Sequence, residues 1–309
     1  MTAPTPTPSA APFSAQTPED VLAVVPVVLG FVPSESIAML TFGTGVPFHA
    51  RSDLPQDRAE LARAVEVLLD PARRHGVERA LFVVYSGDPV LAETAGRGLA
   101  AAFEAHGIEV VGLLRADGER WWRVGEAGRG MPYDLTTHPF SARAVLEGRV
   151  LHRSRDEVRA GVARVPALVT GVVAALAAPR ERSPSPGWIC ELLTRHVGER
   201  TAPDDAEVAR LLRALLEPRG RDEACAGLTR ASARGHVAFW TDVVRRAPDP
   251  LVATPAALLA LAAWQDGDGA LAWCALDRCT DVDPEHPLGV LVERVLLEAV
   301  PPDAWEAHG

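Results

Sequence analysis

Apolar residues along this chain change their period once, and the change limits the architecture more than any other feature. Before about residue 138, strand-length apolar runs alternate with helical stripes. The runs are residues 36–42 (SIAMLTF), 78–85 (ERALFVVY) and 108–114 (IEVVGLL). The near-continuous ERALFVVY run fits a strand covered on both sheet faces. Leu61, Val65, Leu68 and Leu69 recur at helical spacing between the first two runs, and Leu91, Ala95, Leu99 and Ala102 between the last two. A strand, helix, strand order makes the strands ending at Tyr85 and Leu114 a parallel pair. Beyond residue 138 only helical stripes remain, such as Trp188, Ile189, Leu192, Leu193, His196 and Val197, or Val208, Leu211, Leu212, Leu215 and Leu216. The expected fold is therefore an α/β (α+β) N-terminal domain with a mixed sheet over residues 17–150, followed by an all-α helical domain over 151–309.

Local signals refine this outline. Residues 1–16 hold Pro, Thr and Ala with no charge, the composition of a disordered tail. Order is expected from Thr17, a good N-cap, followed by Pro18, Glu19 and Asp20 at the start of a helix that stops near Gly30. Gly43-Thr44-Gly45 joins SIAMLTF to residues 46–52 as a hairpin, and Asp117-Gly118 turns the chain into ERWWRV. In the second half, FWTDVVRRAPDP and WCALDRCTDVDP start 34 residues apart, the tetratricopeptide period. Tetratricopeptide-like pairing and an ordinary helical bundle both accommodate that offset.

All 31 basic residues are arginine, and asparagine is absent as well. Schiff-base and pyridoxal chemistry, the Walker A loop, the kinase lysine and Ser-x-x-Lys acylation all need a lysine and are excluded. Residues 1–150 carry 13 Arg against 18 acids and residues 151–309 carry 18 against 23, so each half nets -5. Neither half gathers the positive charge of a nucleic-acid surface; the local run Arg149, Arg153, Arg155, Arg159 and Arg164 is diluted by Asp156 and Glu157. The first basic residue is Arg51, so the start of the chain lacks the positive region of an export signal, and a cytoplasmic location is expected. The uncharged stretches 165–178 and 250–265 fall short of the roughly 18 residues of a membrane span and are expected as buried helices. Cys190, Cys225, Cys274 and Cys279 form no C-x-x-C pair and are expected as buried free thiols. No cofactor fingerprint or metal motif is present: the histidines lack ligand spacing, and Asp266-Gly-Asp268-Gly269 places its glycine one position early for a calcium loop.

Several segments in order resemble a known family. They are VVPVVLGFVPSESIAML, RSDLP at residues 51–55, the strand ending in Tyr85, and LALAAWQDGDGALAWCALDRC followed by PDAW. Together they are similar to the uncharacterised bacterial family called domain of unknown function 4192, found mainly in high-GC Gram-positive bacteria. The resemblance runs from about Thr17 to Trp305 and implies a cytoplasmic protein with no assigned reaction. Many relatives carry a cysteine-rich stretch after the tryptophan strand, where this chain has GEAGRGM at residues 125–131, so no role of those cysteines transfers.

Three clusters are candidate ligand contacts. Arg51 and Asp53, two apart on a strand, project to one side, where the guanidinium offers a fork for a carboxylate or phosphate; a plain Arg-Asp clasp at the strand end is the alternative. Tyr85, Ser86 and Asp88 lie where a parallel strand meets a helix, the end at which α/β sheets bind ligands, although Asp88 before Pro89 is also an ordinary N-cap. Of Trp121 and Trp122, one indole should enter the core and the other, Trp122, is available for stacking. Pro33-Ser34-Glu35-Ser36 is a third polar turn, but neither serine sits in G-x-S-x-G and no catalytic residue is identified. The expectation is a non-enzymatic binding or adaptor protein whose helical domain meets an unidentified protein partner. An enzyme or sensor for a small anionic ligand at the polar end of the sheet is the alternative.

Overall fold

The computed structural model describes residues 15–43, 48–147, 150–179 and 185–303. Residues 1–14 of the expected tail and the tip of the first hairpin fall outside them. The chain divides into two compact units, residues 1–68 with 76–151, and residues 69–75 with 152–309.

The first unit is built on a six-stranded mixed sheet. Its strands are β1 (Ser36–Phe42), β2 (His49–Asp53), β3 (Arg79–Tyr85), β4 (Glu109–Ala116), β5 (Arg120–Arg123) and the short β6 (Met131–Pro132), in the order β2-β1-β3-β4-β5-β6. Only β3 and β4 run parallel, joined through helix α3 (Pro89–Ala105) as the alternation requires. Helix α1 (Pro18–Leu29) begins at Thr17, whose hydroxyl accepts from the Asp20 N–H while the Asp20 carboxylate accepts from the Thr17 N–H, a reciprocal cap. It ends at Gly30, in the left-handed region at φ 79°.

Period-2 alternation sends two apolar sets to opposite faces of the sheet. Ala38, Leu40, Val83, Tyr85, Leu114 and Trp121 pack under Val21, Leu22, Val24 and Val25 of α1, with Phe140 of α4 (Pro139–Leu146) against the same cluster. On the other face Phe82 meets Phe103 of α3 edge to face, ring centroids 4.9 Å apart. There α3 approaches β4 and α2 (Arg58–Arg74) through its glycines. A Cβ at Gly96 would stand 3.1 Å from Leu113, and one at Gly98 only 2.7 Å from Leu61. Helix α2 extends past Pro71 to Arg74, beyond Leu69, the last residue of its apolar stripe.

The second unit is helical: α5 (Arg155–Gly161), α6 (Pro166–Ala177), α7 (Trp188–Glu199), α8 (Asp205–Ala214), α9 (Pro218–Ala226), α10 (Ala233–Arg246), α11 (Ala253–Asp266), α12 (Gly269–Thr280) and α13 (Pro287–Leu297). Alanine-rich α11 is buried along nearly its whole length, with α10, α12 and α13 packed on it. The two segments 34 residues apart fall on α10 and α12, both against α11. Arg246, 8 % exposed, ties α8 to α10 by donating to the Pro203 carbonyl at 2.6 Å and to the Asp205 and Asp242 carboxylates.

Two expectations need correction. The 165–178 stretch is helical, but only Val169 and Val172 of α6 are buried, because α8 and α10 cover one side of it. Cys190 is exposed rather than buried, its helix α7 turning it away from the core side marked by Ile189, Leu192 and Leu193. His236 is buried with its Nδ1 lacking a hydrogen-bond partner, whereas His196 meets Thr201 Oγ1 at 2.7 Å and Glu207 Oε2 at 3.2 Å.

Candidate functional site

Strand register assembles the polar end of the sheet. Asp53 lies opposite Ser36, Ser36 opposite Tyr85, Tyr85 opposite Ala116, and Ala116 opposite Trp121, so these residues form one transverse row on the α1 face. The row sits at the carboxyl ends of the parallel strands β3 and β4. Two strand spacings, about 10 Å, separate the backbones of Asp53 and Tyr85.

The turn after β3 is organised by a residue outside the three clusters singled out from sequence. Glu35 precedes β1 with φ 39°, a left-handed conformation that few non-glycine residues adopt. Its carboxylate accepts from Ser86 Oγ at 3.0 Å and from the Gly87 N–H at 3.4 Å, while its carbonyl accepts from the Leu54 N–H at 3.1 Å. Glu35 therefore binds the start of β1 to the end of β2 and to the turn after β3. The polar turn PSES carried the signal for it, but spacing along the chain cannot reveal which distant turn a glutamate will meet. Ser86 Oγ also accepts from the Asp88 N–H at 3.1 Å. Asp88 caps α3, its carboxylate accepting from the Val90 and Leu91 N–H groups at 2.9 and 3.1 Å.

One row further along the strands, Arg51 donates to the Asp53 carboxylate at 2.6 Å, its side chain 17 % exposed against 80 % for Asp53. Two hydroxyls in the row are buried without a hydrogen-bond partner, Ser36 Oγ and Tyr85 OH. Burial, helped by the neighbouring Tyr133, pushes the Tyr85 phenol well above the ordinary tyrosine range and keeps it neutral. Trp121 closes the row, its indole N–H donating to Glu19 of α1 at 3.0 Å.

The fold thus gathers Arg51, Asp53, Tyr85, Ser86 and Asp88 at one end of the sheet, with Glu35 among them. Trp122 is not part of that group. It projects to the opposite face, where the Arg115 guanidinium lies 3.7 Å from its ring centroid and its N–H donates to the Gly128 carbonyl. A Cβ at Gly130 would stand 2.4 Å from its ring, so the backbone there lies close against the indole. Chemically, the sheet end offers carboxylates as acceptors and two buried neutral hydroxyls, with its guanidinium already held by Asp53.

No curated protein and no solved structure matches the chain. A family model does match, over residues 18–303, so the chain belongs to the family described as a domain of unknown function (DUF4192).

Proposed function

We propose that the protein is a non-enzymatic adaptor of the cytoplasm whose helical unit docks a partner protein through α6. One observation carries this reading. Residues 165–178 contain no charge, yet α6 leaves Leu168 and Val173 41 % and 47 % exposed, beside Ala167 and Ala174, while its other side packs on α8 and α10. An uncharged helix face of this kind suits an amphipathic helix of a partner laid against it. The test is capture from a lysate of the source organism, followed by reconstitution of the captured protein with the purified chain. A one-to-one complex that forms with the wild type and is lost with Leu168→Glu plus Val173→Glu supports the reading. A complex that survives both substitutions, or a wild type that retains no partner, overturns it.

A small-molecule site at the sheet end has one observation in its favour, the unpartnered buried hydroxyls of Ser36 and Tyr85. Its anionic form would require Arg51 to leave Asp53. A thermal-shift screen of nucleotides, sugars and acids on the wild type and Arg51→Ala tests it. A ligand that raises the melting temperature of the wild type alone favours the sheet end, and one that acts equally on both removes Arg51 from the site.

A further inference from the structure

The helical unit also contains an open cavity of about 270 Å³. Cys190, Thr194 and Val197, with Leu193 beside them, recur at helical spacing on α7 and form one wall. Glu223 of α9 and His236 of α10 belong to the remainder.

The Glu223 carboxylate uses one of its oxygens. Its Oε1 accepts from the Gly187 N–H and from Arg219 Nε, both at 3.2 Å, and among the described residues no hydrogen bond ends on Oε2. His236 is 3 % exposed, and burial holds its imidazole below the usual histidine range, so it is uncharged at neutral pH. No arginine is among the described residues lining the cavity, and Arg219 pairs with Glu223 at Oε1, so the cavity presents a carboxylate oxygen with spare capacity, a neutral ring and an aliphatic wall. An anion would meet the carboxylate, and a neutral alcohol would donate it only an ordinary hydrogen bond. An ammonium would gain a charge-assisted one. The volume, just below the roughly 300 Å³ at which sites for drug-sized ligands begin, limits the occupant to a small molecule.

We propose that this cavity binds a small organic ammonium, the nitrogen donating to Glu223 Oε2 and the apolar body lying against Leu193 and Val197. The probe is benzylammonium, with benzyl alcohol and benzoate as its neutral and anionic counterparts. Cys190 is the reporter: it is the exposed thiol of the four, and Cys225→Ser removes the half-exposed one. At about ten times its Kd, benzylammonium should raise the melting temperature of the full chain by about 3–5 °C and slow maleimide labelling of Cys190 about tenfold. Benzyl alcohol should bind more weakly and benzoate should do neither. Glu223→Gln, which keeps an acceptor for Gly187 and Arg219, should lose the preference for the ammonium over the alcohol. Thr194→Trp, at an exposed position on the wall, should fill the cavity and abolish protection while the circular dichroism stays that of the wild type. Absence of protection in the folded wild type at millimolar benzylammonium overturns the proposal. So does equal protection in Glu223→Gln, or protection by benzoate.

Discussion

His286 sits at the start of α13 with Nδ1 accepting from the Gly289 N–H at 3.3 Å and Nε2 meeting Thr254 Oγ1 at 3.0 Å. Like His236 it is held below the usual histidine range, in both cases chiefly by burial. Each ring therefore stays neutral in the folded chain at a pH where the unfolded chain has begun to bind a proton. Between the unfolded value of about 6.5 and the lower folded value, the unfolded state holds more protons, so stability falls as pH falls through that window. Denaturant midpoints of the helical unit should drop between about pH 7.5 and pH 5.5. The drop should shrink in His236→Gln with His286→Asn, the asparagine retaining a cap for α13; an unchanged slope refutes the assignment. Asp88 allows a second test at this scale. Losing its two bonds to the first turn of α3 in Asp88→Ala should cost about 1 kcal/mol in urea denaturation. Its capping role is legible in the sequence, since Asp before Pro at a strand-helix junction has a local meaning. Glu35 has none, because its partners Ser86 and Gly87 lie 51 and 52 residues away.

Helices α6 and α11 show what periodicity can and cannot establish. Both are uncharged and alanine-rich over most of their length, and both are helical as their composition leads one to expect. Yet α11 is enclosed by α10, α12 and α13 with α9 also touching it, while α6 is covered on one side among the described residues. Amino-acid type sets how much a helix gains from being covered; the number of neighbours that reach it depends on connections elsewhere in the chain. The difference is measurable. Leu168→Glu with Val173→Glu should change the stability of the isolated chain by less than about 0.5 kcal/mol, as exposed positions do. Val169→Ala with Val172→Ala, on the buried side, should cost about 1–3 kcal/mol in the same assay. In the sheet unit, Gly98 belongs to the contact of α3 with α2. Gly98→Val should force Leu61 to shift and cost about 1–3 kcal/mol.

At the scale of the whole molecule, strand order follows the sequence closely where connections are short. The β1–β2 hairpin, the β4–β5 hairpin and the parallel β3–β4 pair all match local turn signals or the alternation of elements. The antiparallel contact of β1 with β3 has no such signal, and it is the contact that brings Ser36 against Tyr85 and so creates the polar row. A second arrangement without a local signal is the recruitment of residues 69–75, the end of α2, into the helical unit. There His75 Nε2 lies 2.8 Å from the Glu298 carbonyl, and Arg74 pairs with the Glu298 carboxylate at 3.8 Å. The apolar stripe of α2 identifies a helix but not which core its last turn joins. A helical unit made of residues 152–309 alone would lack that turn, including the buried Leu69 and Ala72. It should unfold at lower urea than the same unit within the full chain, by about 2–4 kcal/mol of lost burial and hydrogen bonding. Trp188, Trp240, Trp264, Trp273 and Trp305, the tryptophans of residues 152–309, give the fluorescence signal, against Trp121→Phe, Trp122→Phe in the full chain to silence the sheet. His75→Ala in the full chain should reproduce only the hydrogen-bond share, about 1 kcal/mol. Equal midpoints for the fragment and the full chain would mean that residues 69–75 contribute nothing to the core they touch.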